Sequence, residues 1–323
     1  MPKIIKKFKS IPRGLLEDKR LKKEKAKDFI AGASPITLIK QVLQPNGQWD
    51  EFLPPDEYQR QYDFDSMSCV SFSLNNVLEI LYKRLFAAQP NFSDRFLAKM
   101  SGTTKYGNSL WNVVETARKK GEVNEIDWSW TPSIDTFEEY FASIPQGIIN
   151  LGLGWALKNQ INYEWADVTD KEKIMEALKY SPCQVTVGFN AIDENGYYFD
   201  SRENKIYVHA VSCYGYQLGR YWKIFDHYDQ IRKKARWDYQ FGHALSVSLF
   251  KNKLNIPMKF VKLQNSSDVF LLNEKNMTVS PIFSADDYVA LSGGDDTFLQ
   301  IEIIEPEELA KYKLIKKLFC FQR

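Results

Sequence analysis

The chain is poor in the residues that stabilise secreted and metal-dependent proteins. Its 323 residues hold four cysteines, Cys69, Cys183, Cys213 and Cys320, and no two of them form a CxxC pair. With only three histidines besides, no metal-ligand spacing exists, and neither a structural metal site nor a cofactor is expected. A secreted chain of this length would more often carry disulfides. The start, Met1-Pro2-Lys3-Ile4-Ile5-Lys6-Lys7-Phe8, has no apolar stretch after its charges, so it does not read as a signal peptide. No run of about 18 apolar residues exists to span a membrane. A cytoplasmic chain is therefore expected. The formal net charge of +2 is too small to point to a partner class.

Apolar material is present in quantity. Hydrophobic residues make up 44% and aromatics 14%, which excludes a disordered or fibrous chain and allows one large domain or two smaller ones. The charge is unevenly placed. Residues 1–28 carry eleven Lys/Arg against four Asp/Glu, a balance of +7 that leaves −5 for the remainder. Such an arm suits an anionic partner, whether nucleic acid, lipid or an acidic protein surface, or is simply a solvated tail. Pro35, Gln44-Pro45-Asn46-Gly47 and Pro54-Pro55 interrupt regular structure before the first strong motif.

That motif is a helix over 69–86, with Val70, Leu74, Val77, Leu78, Leu81 and Leu85 at helical spacing and Ser68 as its N-cap. Further helices are predicted over 18–29, 93–100, 110–120 (ending at Gly121) and 170–180. Strands are then predicted over 184–189, 205–214, 221–226 and 244–250. Helices first and strands later indicate an α+β protein with two lobes. A small C-terminal module follows, with strands at 269–272 and 298–304 and a helix from Pro306 to Leu318.

Cys69 opens the apolar helix, where the positive end of the helix dipole favours a thiolate. The thiolate is the nucleophilic form, although a cysteine at such a helix position is, on position alone, more often a buried structural thiol. Of the three histidines, His209 lies in a strand, and Asp226 ends the next strand, 17 residues on. A turn at Leu218-Gly219-Arg220 would bring the two side by side, so that the carboxylate fixes the imidazole tautomer. His243, in Gly242-His243-Ala244-Leu245, is the alternative base. His227 flanks the site or belongs to a surface loop.

Taken in order, these segments resemble the papain-like (C1-type) cysteine peptidases. Ser68-Cys69-Val70-Ser71-Phe72-Ser73 resembles the family's nucleophile motif. Phe92-Ser93-Asp94-Arg95-Phe96-Leu97 and Gly107-Asn108-Ser109-Leu110 resemble the segments that follow it. Lys173 through Pro182 with Val185-Thr186-Val187, His209-Ala210-Val211 with Gly215-Tyr216, and Tyr221 through Tyr228 resemble its later strands. The resemblance spans roughly residues 60–250. It implies a papain-like two-lobed fold over 56–257, flanked by a basic extension at 1–55 and the small C-terminal α+β module at 258–323.

The resemblance also implies endopeptidase activity on a protein or peptide substrate, through Cys69, His209 and Asp226 and without a cofactor. The departures are specific. Asp226 stands where the family has Asn, Val70 follows the nucleophile in place of an aromatic, and Tyr228 replaces a shielding Trp. Six residues before Cys69, where the family has its oxyanion Gln, stands Asp63. Gln61 is expected to serve instead, with Gln59 as the fallback. The likeness is to divergent bacterial and phage proteins, which leaves a catalytically silent virion or interaction component and a peptidoglycan amidase as alternatives. The arm over 1–55 is either a pro-segment over the cleft or an anchor.

Overall fold

The computed structural model describes residues 6–7, 14–20, 41–61, 64–188, 191–193, 197–199, 207–228 and 232–251, and in the C-terminal part 258–263, 269–273, 278–282, 301–311 and 313–314. By contact the chain divides into two units. One comprises 1–144 with 161–250, and the other 145–160 with 251–323.

In the first unit the strands are β1 (Lys6–Lys7), β2 (Gly14–Leu15), β3 (Arg60–Gln61), β4 (Phe64–Asp65), β5 (Gly107–Asn108), β6 (Asn159–Ala166), β7 (Cys183–Val187), β8 (Ala191–Ile192), β9 (Tyr198–Phe199), β10 (His209–Gln217), β11 (Tyr221–Phe225), β12 (Arg232–Arg236) and β13 (Ala244–Lys251). Nine of them form one sheet in the order β1-β8-β9-β12-β11-β10-β7-β13-β6. The helices are α1 (Cys69–Phe86), α2 (Asp94–Met100), α3 (Leu110–Lys120), the one-turn α4 (Phe137–Tyr140) and, after α5 (Gln146–Lys158) of the second unit, α6 (Lys171–Leu178).

Helix α1 is buried on every side from Cys69 to Leu81, as a helix at the centre of a fold must be. Ser68 is its N-cap, but the Ser68 hydroxyl donates to the Ser66 carbonyl at 3.0 Å instead of capping the helix. Its end is set by Ala87, which takes a left-handed conformation (φ 52°) and returns its N–H to the Lys83 carbonyl. Helices α2 and α3 carry working caps, Ser93 Oγ and Ser109 Oγ, which accept from the N–H groups of Phe96 and Asn112. The helical lobe gathers Phe72, Ala98, Trp130 and Tyr140, with Phe64 packed against them.

The β lobe is built on β10, antiparallel to β7 (His209 opposite Val187) and to β11 (Ser212 opposite Phe225), with a bulge between Cys213 and Gly215. Gly219 turns the β10–β11 hairpin with φ 71°, a conformation that favours glycine. Trp222, Val185, Val211, Ile224 and Leu178 form its core, and the Trp222 ring stacks on Trp237 at 4.6 Å. Helix α1 docks on this sheet through polar contacts. Gln184 Nε2 donates to the Val70 carbonyl at 2.7 Å, and Ser212 Oγ to the Ser73 carbonyl at 2.9 Å. Cys183 and Cys213 face each other in the β7–β10 register as buried, reduced thiols.

The second unit holds α5 and a separate five-stranded sheet, ordered β17-β14-β15-β16-β18 from β14 (Met258–Leu263), β15 (Val269–Asn273), β16 (Thr278–Ile282), β17 (Ile301–Ile304) and β18 (Lys313–Leu314). It also holds the one-turn helix α7 (Pro306–Leu309).

Several elements differ from expectation. The helix expected to reach Leu318 stops at Leu309, and Lys313–Leu314 pair as a strand. Asp18–Arg20 are not helical, because the Asp18 carboxylate binds the Arg20 N–H and guanidinium instead, while 21–29 lie outside the described residues. Phe189, 205–206 and 298–300 also lie outside them. Strand β12 was not foreseen, and its sequence Arg-Lys-Lys-Ala-Arg shows why: it has four cations and one apolar residue.

Candidate active site

Cys69 is the first residue of α1, so its N–H has no acceptor within the helix. His209 begins β10, and Asp226 follows β11 directly. Both lie at the same end of one hairpin, because an antiparallel pair returns the chain to where it started. The three side chains are buried, with His209 at 1% exposure and Cys69 and Asp226 at 0%. His209 Nε2 lies 2.8 Å from Asp226 Oδ1. Its other ring nitrogen, Nδ1, is buried with no hydrogen-bond partner among the described residues. The sulfur of Cys69 receives a backbone hydrogen bond from Ala210, the residue after His209, which brings the thiol to the start of the same strand.

Burial pushes the Cys69 thiol well up. The Ala210 hydrogen bond opposes this, and the charges of Asp65 and Asp226 add to the rise. Asp226 behaves in the opposite way. Burial works against its ionisation, but the Lys233 ammonium and then His209 outweigh it and hold the carboxyl well below the usual range. Lys233, on β12, is 4% exposed and is paired to Asp226 Oδ2. Asp226 Oδ1 also accepts the His227 N–H at 2.7 Å.

His227 is not a surface residue. Its ring is fully buried between Phe72 (centroids 5.2 Å apart) and His209 (5.0 Å). Burial, and then the neighbouring His209, hold it well below its usual range, so it is neutral. The Tyr228 ring also lies edge-on to His209, with centroids 6.0 Å apart. His209, Asp226 and His227 offer ligand atoms within 4.8 Å of one another. A cation there would meet the Lys233 ammonium already seated on Asp226, so the trio reads as a hydrogen-bonded cluster and not as a metal centre.

His243, the alternative base, is exposed and sits beside Thr186 (Nδ1 to Oγ1 3.4 Å) and the Trp165 ring. Gln61 is half-buried and pairs with Phe64 in the β3–β4 hairpin. Asp63 lies outside the described residues. Gln59 is the buried glutamine of the two. Its N–H donates to the His227 carbonyl at 2.8 Å and its Nε2 to Asp65 Oδ1 at 2.9 Å, and Asp65 also accepts the Met67 N–H.

Two glycines complete the site. Gly14 packs beside Cys69, and a Cβ built there would lie 2.6 Å from the Met67 carbonyl oxygen and 3.1 Å from Cys69 Sγ. Strand β2 pairs in parallel with β5, Gly14 against Gly107, so closely that a Cβ on Gly107 would fall 2.0 Å from the Gly14 oxygen. On either side, the Leu16 N–H donates to the Asn108 carbonyl (2.7 Å) and the Leu15 N–H to the Val208 carbonyl (3.3 Å). Residues 14–16 thus lie extended over Cys69, between the Gly107 loop and the strand that carries His209. Sequence reasoning missed Lys233 and Gly14. The segment that begins at Gly107 was singled out, but nothing in the sequence connects it to Gly14.

No family model matches the chain, and no curated protein sequence does. Solved structures do. Xylellain, a cysteine protease from Xylella fastidiosa, is 15% identical, with 76% of this chain and 99% of that one covered at a TM-score of 0.51. The cysteine protease and lectin-like domains of Cwp84, a surface layer associated protein of Clostridium difficile, are 14% identical, with 72% and 57% covered at 0.52. At these identities the likeness is one of fold: the chain has the α+β fold of the papain-like cysteine proteases.

Proposed function

We propose that the chain is a papain-like cysteine peptidase whose cleft is closed by its own N-terminal segment. The observation that carries this reading is the extended backbone of residues 14–16, hydrogen-bonded on both sides and laid directly over Cys69. A cleft that holds a peptide backbone against a cysteine is shaped to bind one.

His209 Nδ1, the ring nitrogen not engaged by Asp226, takes the proton of Cys69. The sulfur attacks the substrate carbonyl carbon, and the oxyanion is held by the Cys69 N–H and by a glutamine amide, Gln61 or Gln59. His209 then gives the proton to the leaving amine as the C–N bond breaks. Water, deprotonated by the same ring, hydrolyses the thioester. Asp226 keeps Nε2 protonated throughout.

With the segment in place the thiol is buried and its pKa raised, so the resting chain is inert. That burial equally favours a second reading, a papain-like fold retained as a catalytically silent interaction component.

Alkylation by iodoacetamide at neutral pH, followed by mass spectrometry, separates the two. Cys69 is expected to react slowly in the native chain and at least about tenfold faster in Gly14→Val, whose side chain cannot fit beside Met67 and Cys69. In Gly14→Val/His209→Ala the rate is expected to collapse. If Gly14→Val exposes a thiol that reacts no faster than an ordinary one, or that ignores His209→Ala, the peptidase reading fails and the silent one stands.

A further inference from the structure

A strand of four cations places one of them, Lys233, in the interior, opposite Ile224 on β11. An ammonium on a residue only 4% exposed is tolerated only when every donor is engaged and a counter-charge is present. Here all three N–H donors have a direction: Asp226 Oδ2, the Tyr228 carbonyl at 2.7 Å, and the face of Tyr198, whose centroid is 4.9 Å away. Asp226 divides its oxygens accordingly. Oδ2 belongs to Lys233, and Oδ1 is shared by His209 Nε2 and the His227 N–H.

We infer that Lys233 is a positioning residue that neutralises Asp226, so that His209 is oriented by a carboxylate without being held by its full negative charge. The inference rests on the reading of Cys69 and His209 as the reacting pair. An unbalanced buried carboxylate would favour the imidazolium and make it a poor proton donor to the leaving amine. A neutral amide at the same position would orient the ring with no net charge. The Asp226–Lys233 pair achieves the same neutrality with two residues, which explains how Asp stands where the resembling family has Asn. The titratable groups set against His209 are Asp226, His227 and Tyr228 from beyond β11; Cys69 from α1 and Lys233 from β12 bear on Asp226, and Tyr198 from β9 lies against Lys233. Of these, Lys233 is the one fixed cation.

The test is an NMR titration of the histidine rings in the full chain, where three histidines make assignment direct. Lys233→Met is expected to move the His209 midpoint up by about one pH unit, and Asp226→Asn to move it down by a similar amount. The double variant is expected to return it to within a few tenths of a unit of the native value, and Lys233→Arg to leave it unmoved. A purely structural lysine would predict no such cancellation. If Lys233→Met does not fold, the double variant must fold, because it buries no unpaired charge, and it must still titrate like the native chain. A native-like midpoint in Lys233→Met, or a double variant displaced from the native value, overturns the inference. The readout needs no cleavage, so the two failures are distinguishable: failed alkylation removes the reacting pair and leaves the charge balance at Asp226 without a catalytic purpose, whereas a failed cancellation removes the role of Lys233 and leaves the peptidase reading intact.

Discussion

At the scale of single residues, the site's chemistry depends on which ring nitrogens are engaged. His209 uses Nε2 on Asp226 and leaves Nδ1 without a partner among the described residues, whereas His227, distant in sequence but with its ring 5.0 Å from that of His209, has both ring nitrogens buried without partners among the described residues. A buried neutral histidine has a pH cost of definite sign. Its folded pKa lies below the unfolded value of 6.5, so the unfolded chain gains a proton first as pH falls, and stability is lost on going down through 6.5. His227→Phe keeps the ring packed between Phe72 and His209 and removes the titration. It is expected to be at least as stable as the native chain at pH 7, and to lose less stability between pH 7 and pH 5, by urea unfolding. A steeper acid loss than in the native chain would show that the His227 ring holds a proton in the fold.

The residues that the structure gathers at one end of the β10–β11 hairpin, Cys69, His209 and Asp226, were legible in the sequence, because a helix-opening cysteine and a strand histidine are rare features in a chain with three histidines. The state of His227 was not, because nothing local marks whether a residue after a strand turns inward.

At the scale of elements, the long apolar helix and the β lobe were readable, because α1 and strands β7, β10, β11 and β13 obey their hydrophobic periods. Strand β12 and the pairing of β2 with β5 were not readable. The first owes its place to the ladder with β11 and to one buried ion pair. The second owes its place to two glycines about 90 residues apart whose meaning lies in mutual contact. The contact makes the closure testable from its far side. Gly107→Ala puts a methyl group where the Gly14 backbone lies, so the arm must leave, and Cys69 alkylation is expected to rise as in Gly14→Val. Gly102 has a similar left-handed φ of 70° but nothing within 4 Å of a Cβ. Gly102→Ala therefore meets only the backbone cost, about 1 kcal/mol, and is expected to leave the alkylation rate unchanged. Equal rates in the two variants would mean that general loosening, and not displacement of residues 14–16, exposes the thiol.

At the scale of the whole first unit, the two lobes answer pH in different ways. The β lobe buries an ion pair that needs Asp226 charged. The helical lobe buries carboxyls that need to be neutral: Glu79 on α1, Asp94 on α2 and Glu122 after α3 are all pushed well up by burial. Arg95, the cation nearby, directs its donors to the carbonyls of Ser129, Glu139 and Tyr140, and so provides little relief. Glu57 gives this behaviour a measurable window. Burial, and then the charge of Glu125, push it from 4.5 to about 7. Below pH 4.5 it is protonated in both states and its contribution is complete. As pH rises the unfolded chain releases the proton first, so stability falls until the folded carboxyl also ionises near pH 7. The full shift corresponds to about 3 kcal/mol, and water at the partly exposed side chain lowers this to about 2 kcal/mol. Native stability, followed by tryptophan fluorescence in urea, is therefore expected to decline from pH 4.5 to pH 7, against the opposing trend of His227. Glu57→Gln is expected to flatten that decline by about 2 kcal/mol. If Glu57→Gln follows the native curve across the window, Glu57 is ionised in the fold at neutral pH, and the helical lobe must hold a compensating cation that the neutral-carboxyl account omits.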